Sequence, residues 1–191
     1  MLLVAAGLCA PAWSQDAAPA GVQRVRFETT LGAFTVEVDP ARAPLTAASF
    51  LQYVRDQHYD GTIFHRVIGN FVVQGGGYLP DGTEKPVRAG VPNESGNGLS
   101  NRRSTVALAR TGDPHSGTSQ FYVNVTDNIA LDPSPARWGY AVFGRVVEGM
   151  DVVDRIASVA TGSSGPFQED APLQPVVIST ARVVGEAATP K

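Results

Sequence analysis

Short runs in which apolar and polar residues alternate recur along most of this sequence, and they restrict its fold more than any other feature. Residues 25–29 alternate apolar and charged side chains, and the alternation resumes at residues 34–38 after a Leu31-Gly32 link. Alternation with period two is typical of half-buried strands, and two such runs around a short glycine-containing link predict a hairpin. Similar apolar or alternating runs follow at residues 62–68, 71–74, 105–110, 120–125, 140–147 and 175–184.

Two segments have the spacing of amphipathic helices instead. The first opens at Pro44, which the first turn of a helix tolerates, and has apolar residues at positions 47, 50, 51 and 54. The second begins at Met150, and its Asp151 and Arg155 stand four residues apart, the spacing of a helical ion pair. The sum is about eight strands and two helices that do not alternate with them. This pattern argues against a doubly wound sheet and favours an antiparallel barrel or a sandwich, between which the count does not choose.

The N-terminal 13 residues form the most apolar stretch of the chain, carry no charge and are interrupted by Pro11. They are too short to cross a bilayer, which needs about 20 apolar residues, and are typical of the apolar part of a secretory signal. We expect residues 1–14 to be a signal peptide that is cleaved on export, residues 15–23 a linker, residues 24–185 one folded domain and residues 186–191 a tail. The only cysteine, Cys9, follows Leu8, which does not fit a lipidation site, so we expect no stable membrane anchor.

Charge and composition exclude several classes of function. The net charge is −3 and no run of like charges occurs, so we expect no nucleic-acid partner. The three histidines have no spacing that indicates a shared metal, and we expect neither a metal nor a cofactor. Asp113, His115 and Ser116 could form a hydrolase triad, but neighbours in sequence rarely point at one another, so this alternative has almost no support.

Residues 64–76 hold an arginine inside an apolar, strand-like run. Alternation predicts that Phe64 and Arg66 share one side of a strand, and that Val72 and Gln74 share another. Because a guanidinium does not deprotonate in proteins, Arg66 is a candidate electrophile and not a base. A salt-bridged surface arginine explains this stretch equally well, and the three glycines at 75–77 indicate close backbone packing.

Residues 119–125 form a second informative run. Phe121, Val123 and Val125 share one face, which we assign to the core, so that Tyr122 points the other way together with Gln120. An outward tyrosine on a strand is either an ordinary surface residue or the wall of a groove.

At these residues the chain resembles the cyclophilin family of peptidyl-prolyl isomerases. The motif F-H-R-x-I-x-x-F-x-x-Q-G-G matches residues 64–76, and S-Q-F-Y at 119–122 and V-F-G-R-V-V-E-G-M at 142–150 follow in the family's order. The resemblance covers residues 25–184 and is closest to the exported bacterial branch. It implies a closed eight-stranded antiparallel barrel with a helix over each end. It also implies a monomeric enzyme in the periplasm that isomerises prolyl bonds of proline-containing polypeptides.

The resemblance also implies roles for individual residues. Arg66 would donate to the nitrogen of the twisting imide, and Gln74 would hold the substrate backbone beside Phe71; these three form the predicted catalytic set. The predicted substrate-binding residues are Val72, Ala109, Arg110, Gln120, Tyr122, Ala130, Leu131 and Tyr140.

Several positions depart from the family pattern. Gly69-Asn70 replaces the usual Pro-Gly, which predicts a looser approach of Phe71, and Arg110 replaces a groove asparagine. Ala130 stands where the common eukaryotic pattern has the tryptophan linked to tight cyclosporin binding, so we expect weak cyclosporin binding. These departures leave one alternative open, a catalytically weak chaperone module that only binds proline-containing segments.

Overall fold

The computed structural model of this chain describes residues 21–186. The predicted signal peptide, most of the linker and residues 187–191 of the tail lie outside this range.

Residues 21–186 contain ten strands, two α-helices and one short 3-10 helix. In chain order the strands are β1 (Gln23–Thr29), β2 (Gly32–Val38), β3 (Arg66–Ile68), β4 (Val72–Gly75), β5 (Thr105–Leu108), β6 (Phe121–Asn124), β7 (Val142–Glu148), β8 (Thr161–Ser164), β9 (Phe167–Pro172) and β10 (Ile178–Val183). The helices are α1 (Pro44–Arg55) and α2 (Met150–Ala157), and the 3-10 helix spans Ile129–Leu131.

Eight of the strands form one antiparallel sheet in the order β10-β1-β2-β7-β5-β6-β4-β3. The predicted hairpin is confirmed, with Val25 opposite Val36 in β1 and β2. The outermost strands β3 and β10 are not joined by a ladder, but a single bridge links Ile63 to Val177 just ahead of them. The sheet therefore curls strongly, and the mainly β, antiparallel prediction with two helices is confirmed at this level.

The concave side of the sheet holds the main core, which is rich in aromatic side chains. Phe27 stacks on Phe34 with ring centroids 5.0 Å apart, and the Phe121 ring lies 5.4 Å from that of Phe27. Helix α1 packs its buried Phe50 against Phe143 of β7, with ring centroids 4.8 Å apart. The prediction that Phe121, Val123 and Val125 lie in the core is therefore confirmed.

Both predicted helices form, and α1 obtains its N-terminal cap from a distant loop. Ala43 precedes the helix and has no capping side chain. The Glu94 carboxylate accepts instead from the backbone N–H groups of Leu45 (3.1 Å) and Thr46 (2.8 Å) and from the Thr46 hydroxyl (2.7 Å). A carboxylate at this end also complements the helix dipole.

The prediction that Phe64 and Arg66 lie on the same side of a strand is wrong. Phe64 is buried in the main core, whereas Arg66 is partly exposed on the other face. The reason is that the regular strand β3 begins only at Arg66, so strand alternation does not apply at Phe64. Gly75 allows this packing, since a Cβ there would meet the Phe64 ring at 2.7 Å.

The hairpin of β8 and β9 forms a second, two-stranded sheet that the sequence pattern did not predict. Its residues are mostly polar, and most are exposed or half-buried, so they lack the apolar alternation that marks a half-buried strand. The hairpin lies against β3, at one edge of the large sheet.

Among the described residues, no helix is both long and apolar enough to span a membrane. Residues 21–186 likewise hold no group of three or more histidine, cysteine or acidic side chains placed to bind a metal ion.

Candidate active site

A cavity of about 300 Å³ lies on the outer face of the curled sheet. Two of its lining residues, Val72 and Tyr122, belong to a small buried apolar cluster, separate from the main core, that also contains Ala107 and Val142. Nine of the eleven predicted site residues line the cavity: Arg66, Phe71, Val72, Gln74, Ala109, Arg110, Tyr122, Leu131 and Tyr140. The predicted sharing of one side by Val72 and Gln74 is thus confirmed, and Tyr122 forms a wall of the cavity.

Arg66 and Gln74 face each other across the edge of the sheet, where β3 and β4 place them in register. The Arg66 guanidinium donates through Nη1 to Oε1 of Gln74 at 3.5 Å, a long hydrogen bond. Gln74 in turn donates through Nε2 to Oε1 of Gln120 at 3.1 Å. Gln120 does not line the cavity itself and is connected to it through Gln74.

Arg66 also has an acidic neighbour that the sequence did not identify. Nε of Arg66 lies 3.8 Å from Oδ2 of Asp170 on β9, and the two side chains are 40% and 33% exposed. An exposed pair at this distance contributes little to stability, about 0–1 kcal/mol. Within residues 21–186 the Nη2 nitrogen of Arg66 has no hydrogen-bonding partner, so it remains available to a ligand.

The backbone of Phe71 is held at three points. Its N–H donates to the Ile68 carbonyl at 2.9 Å, and its carbonyl accepts from Val125 N at 3.1 Å and from Asn128 Nδ2 at 2.9 Å. A Cβ at Gly69 would meet the Ala157 carbonyl oxygen at 3.1 Å, so the chain approaches α2 closely here. The Gly69-Asn70 departure therefore does not leave the Phe71 backbone loose.

Tyr122 is 4% exposed, and its hydroxyl donates to Oδ1 of the fully buried Asn101 at 2.8 Å. Burial raises the pKa of Tyr122, which keeps the hydroxyl protonated and able to donate. Asn101 is held by Oδ1 of Asp132, which accepts from its backbone N–H at 2.7 Å and from Nδ2 at 2.9 Å. Burial opposes ionisation of Asp132, but hydrogen bonds from Ser100 and Asn101 outweigh it and lower the pKa of Asp132. No pattern in the sequence indicated a role for Asn101.

Arg110 also lines the cavity, and its guanidinium holds the loop before β7 by hydrogen bonds. It donates through Nε to the Gly139 carbonyl at 3.2 Å, through Nη2 to that of Trp138 at 3.0 Å, and through Nη1 to that of Thr111 at 2.8 Å. The guanidinium carbon lies 4.5 Å from the centre of the Tyr140 ring. No carboxylate within residues 21–186 pairs with Arg110, so its positive charge remains uncompensated beside the cavity.

Ala130 is the other predicted residue that does not line the cavity. It lies exposed on the 3-10 helix, where its carbonyl accepts from Arg137, while the neighbouring Leu131 does line the cavity. A role of Ala130 in substrate binding stays a prediction.

The described histidines have other environments. His65 is 7% exposed and packs edge-on against Tyr78, and burial together with the charge of Arg66 lowers the pKa of His65 to about 4. His115 accepts through Nδ1 from the Asn93 backbone, and the Ser116 hydroxyl donates to the Asp113 carbonyl, so the loop does not form a hydrolase triad.

Comparisons with known proteins agree on one family. The profile of "Cyclophilin type peptidyl-prolyl cis-trans isomerase/CLD" matches residues 24–183. The chain is 54% identical over 164 residues to the peptidyl-prolyl cis-trans isomerase cyp18 of Streptomyces antibioticus, which covers 84% of this chain and 98% of that protein. It is 47% identical over 162 residues to the peptidyl-prolyl cis-trans isomerase B of Escherichia coli (strain K12), which covers 83% and 98% of the two chains.

Solved structures show the same fold at lower sequence identity. The crystal structure of a cyclophilin type peptidyl-prolyl cis-trans isomerase from Cryptosporidium parvum has a TM-score of 0.73 and 23% identity, covering 87% of this chain and 99% of that one. A structure of the same protein in the presence of the dipeptide ala-pro also has a TM-score of 0.73 and 23% identity, covering 86% and 100%.

Proposed function

The chain belongs to the cyclophilin-type peptidyl-prolyl cis-trans isomerase family, and from that premise we propose how its cavity catalyses rotation about Xaa-Pro bonds. The observation that carries the proposal is Arg66. Among residues 21–186 its Nη2 has no hydrogen-bonding partner, and its side chain lines the same cavity as the apolar side chains of Phe71 and Val72.

Rotation about an Xaa-Pro bond breaks amide resonance and forms no new covalent bond. The barrier is about 18–20 kcal/mol, and uncatalysed exchange takes tens to hundreds of seconds. As the amide twists, its nitrogen regains a lone pair and becomes a better hydrogen-bond acceptor. A guanidinium that donates to this nitrogen binds the twisted state more strongly than the planar one, and such differential binding is what accelerates a reaction. No nucleophile or proton shuttle is required.

The remaining cavity residues suit a proline-containing polypeptide. The apolar side chains of Phe71, Val72, Tyr122 and Leu131 provide a dry socket for the proline ring. Gln74 provides an amide group beside Arg66 that can hold the substrate backbone. An extended proline-containing polypeptide is therefore the substrate class that we propose, and the ala-pro dipeptide of the Cryptosporidium parvum structure is in keeping with it.

Replacement of Arg66 tests the proposed role. We expect Arg66→Ala to lower kcat/KM for an Ala-Pro peptide by about 10²-fold, the usual cost of removing one donor to a transition state. The thermal midpoint should stay unchanged because the side chain is 40% exposed. Arg66→Lys should rescue poorly, since an ammonium does not reproduce the planar fork. Arg155→Ala, which removes an exposed arginine of α2, is the matched control. Parent-like turnover in both Arg66 variants would show that Arg66 is not the donor.

The catalytically weak chaperone module remains the alternative. Its main support comes from the Gly69-Asn70 and Ala130 departures. The three hydrogen bonds to the Phe71 backbone argue against a loose Phe71, whereas the Ala130 departure still favours this alternative. Exchange spectroscopy of a proline peptide distinguishes the two functions, because a binding module shifts the peptide signals without accelerating cis-trans exchange.

We also propose that the enzyme assists the folding of exported proteins in the periplasm. The apolar residues 1–13 support this, and so does Ala12-Trp13-Ser14 before Gln15, which matches the small-x-small pattern of a signal-peptide cleavage site. Mass spectrometry of the mature protein from a periplasmic fraction should find the first 14 residues removed, and an intact Met1 in a cytosolic fraction would contradict export.

Three finer expectations belong to the same proposal. Weak cyclosporin binding follows from Ala130 and should appear as poor inhibition of peptide turnover. A monomer should elute near 20 kDa in size-exclusion chromatography. Closure of the sheet into a barrel is supported by the Ile63–Val177 bridge and by the hydrogen bond from Phe64 N to the Val176 carbonyl at 3.0 Å.

A further inference from the structure

The β8–β9 hairpin contains a bulge beside the cavity. Gly162 pairs with Ala171 and Ser164 pairs with Phe167, so the single residue between these pairs on β8 faces three residues on β9. Asp170 is one of the three and has a φ of 59°, in the left-handed region that aspartate enters more readily than most residues. Bulges redirect side chains and are frequent beside active sites.

The redirected side chain reaches Arg66. Because the hairpin lies against β3, the Asp170 carboxylate comes within 3.8 Å of Nε of Arg66, while Nη1 of the same guanidinium donates to Gln74. A guanidinium is planar and rigid, so contacts at two of its nitrogens restrict the orientation of the whole group. The third nitrogen, Nη2, is the one left without a partner among residues 21–186.

We infer that Asp170 is a positioning residue, which orients the guanidinium of Arg66 so that Nη2 faces the twisting imide. The inference rests on the proposed role of Arg66. Asp170 is not among the residues that line the cavity, so its proposed effect passes through Arg66. The left-handed backbone of Asp170 is a strained conformation in a non-glycine residue, and such conformations cluster at functional sites.

A purely structural role predicts a different result. If the pair only fixed the hairpin to the sheet, its loss would change the thermal midpoint and leave the turnover of the folded enzyme unchanged. A purely long-range effect of negative charge on Arg66 would be reproduced by removing any nearby carboxylate. Glu169, an exposed neighbour in the same bulge, provides that comparison.

The experiment compares Asp170→Asn, Asp170→Gly and Glu169→Gln in the full chain. Asparagine keeps the shape and tolerates the left-handed backbone, while glycine keeps the backbone and removes the side chain. We expect both Asp170 variants to lower kcat for an Ala-Pro peptide about two- to fivefold with unchanged KM, the range that an exposed ion pair provides. The Arg66 Nε–H signal in ¹H-¹⁵N spectra should move in both variants, and Glu169→Gln should match the parent in every readout.

Two results would overturn the inference. One is parent-like or higher kcat in Asp170→Asn, and the other is an equal loss in Asp170→Asn and Glu169→Gln. The Arg66→Ala variant separates the two levels of the argument. If Arg66→Ala slows turnover while the Asp170 variants do not, only the positioning role of Asp170 is wrong. If Arg66→Ala turns over like the parent, the proposed role of Arg66 is wrong as well.

Discussion

Replacing Tyr122 by phenylalanine separates the two roles that its position allows. The change removes the hydroxyl that donates to Asn101 at 2.8 Å and retains the ring that forms the cavity wall. Among the described residues, Oδ1 of Asn101 then keeps a single donor, Nδ2 of Asn124 at 3.3 Å. Loss of one buried hydrogen bond with a partly satisfied acceptor costs about 1 kcal/mol of unfolding free energy. For a domain of this size the thermal midpoint should fall by about 2–4 °C.

Activity should respond differently from stability. Because the ring stays in place and the hydroxyl points into the asparagine network, kcat/KM for an Ala-Pro peptide should stay within about a factor of two of the parent. Tyr59→Phe is the matched control, since the Tyr59 hydroxyl donates to the Ser119 carbonyl at 2.9 Å in the main core. We expect a similar loss of stability and unchanged activity in this variant.

Thermal and denaturant unfolding provide the stability values, and exchange spectroscopy provides the activity. A tenfold loss of kcat/KM in Tyr122→Phe, with Tyr59→Phe unchanged, would mean that the hydroxyl contacts the substrate and that the assignment of the wall is wrong. An unchanged thermal midpoint in Tyr122→Phe would mean that the bond to Asn101 contributes nothing.

Three further predictions concern other parts of the molecule. Glu94→Ala should lower the unfolding free energy by about 1–2 kcal/mol in denaturant titrations because α1 loses its cap, and Glu94→Gln should lose less because one acceptor oxygen remains. His65 has a pKa of about 4 in the folded state and about 6.5 in the unfolded state, so the folded state disfavours its protonation. The unfolding free energy should therefore be highest above pH 6.5 and fall by about 3 kcal/mol between pH 6.5 and pH 4. His65→Gln should lack this decrease when unfolding is measured as a function of pH. Because no carboxylate of the described residues pairs with Arg110, its positive charge should make kcat/KM about two- to fivefold higher for Glu-Pro than for Lys-Pro peptides at low salt. Peptide kinetics should show that Arg110→Gln or high salt abolishes this preference.

The strands of the large sheet and both α-helices could be predicted because each has a local pattern. The β1–β2 hairpin and both helices bury one side of a short segment, so the period of their apolar residues is visible in the sequence. The resemblance of residues 25–184 to one family then identified the nine residues that line the cavity. Strand alternation did not predict the side of Phe64 correctly, because the chain is not yet a regular strand there.

The missed features depend on partners far apart in the chain. Asp170 meets Arg66 only because a polar hairpin folds onto β3, and the cap of α1 comes from Glu94 in the long loop between β4 and β5. Neither contact leaves a periodic signal, since exposed and polar residues are not sorted by burial. Asn101 is similar, because a buried asparagine is recognisable only once its hydrogen-bonding partners are in place.

The cavity and the hydrophobic interior lie on opposite sides of the same strands. In β4 Val73 belongs to the interior and Val72 lines the cavity, and in β6 Val123 and Tyr122 divide in the same way. One layer of backbone therefore separates ligand from interior. A chain built in this way can change its substrate preference through outward side chains while the inward ones stay as they are. Conversely, a bound peptide adds its stabilisation directly to strands that hold the interior together, so ligand binding should slow amide exchange most strongly in β4 and β6.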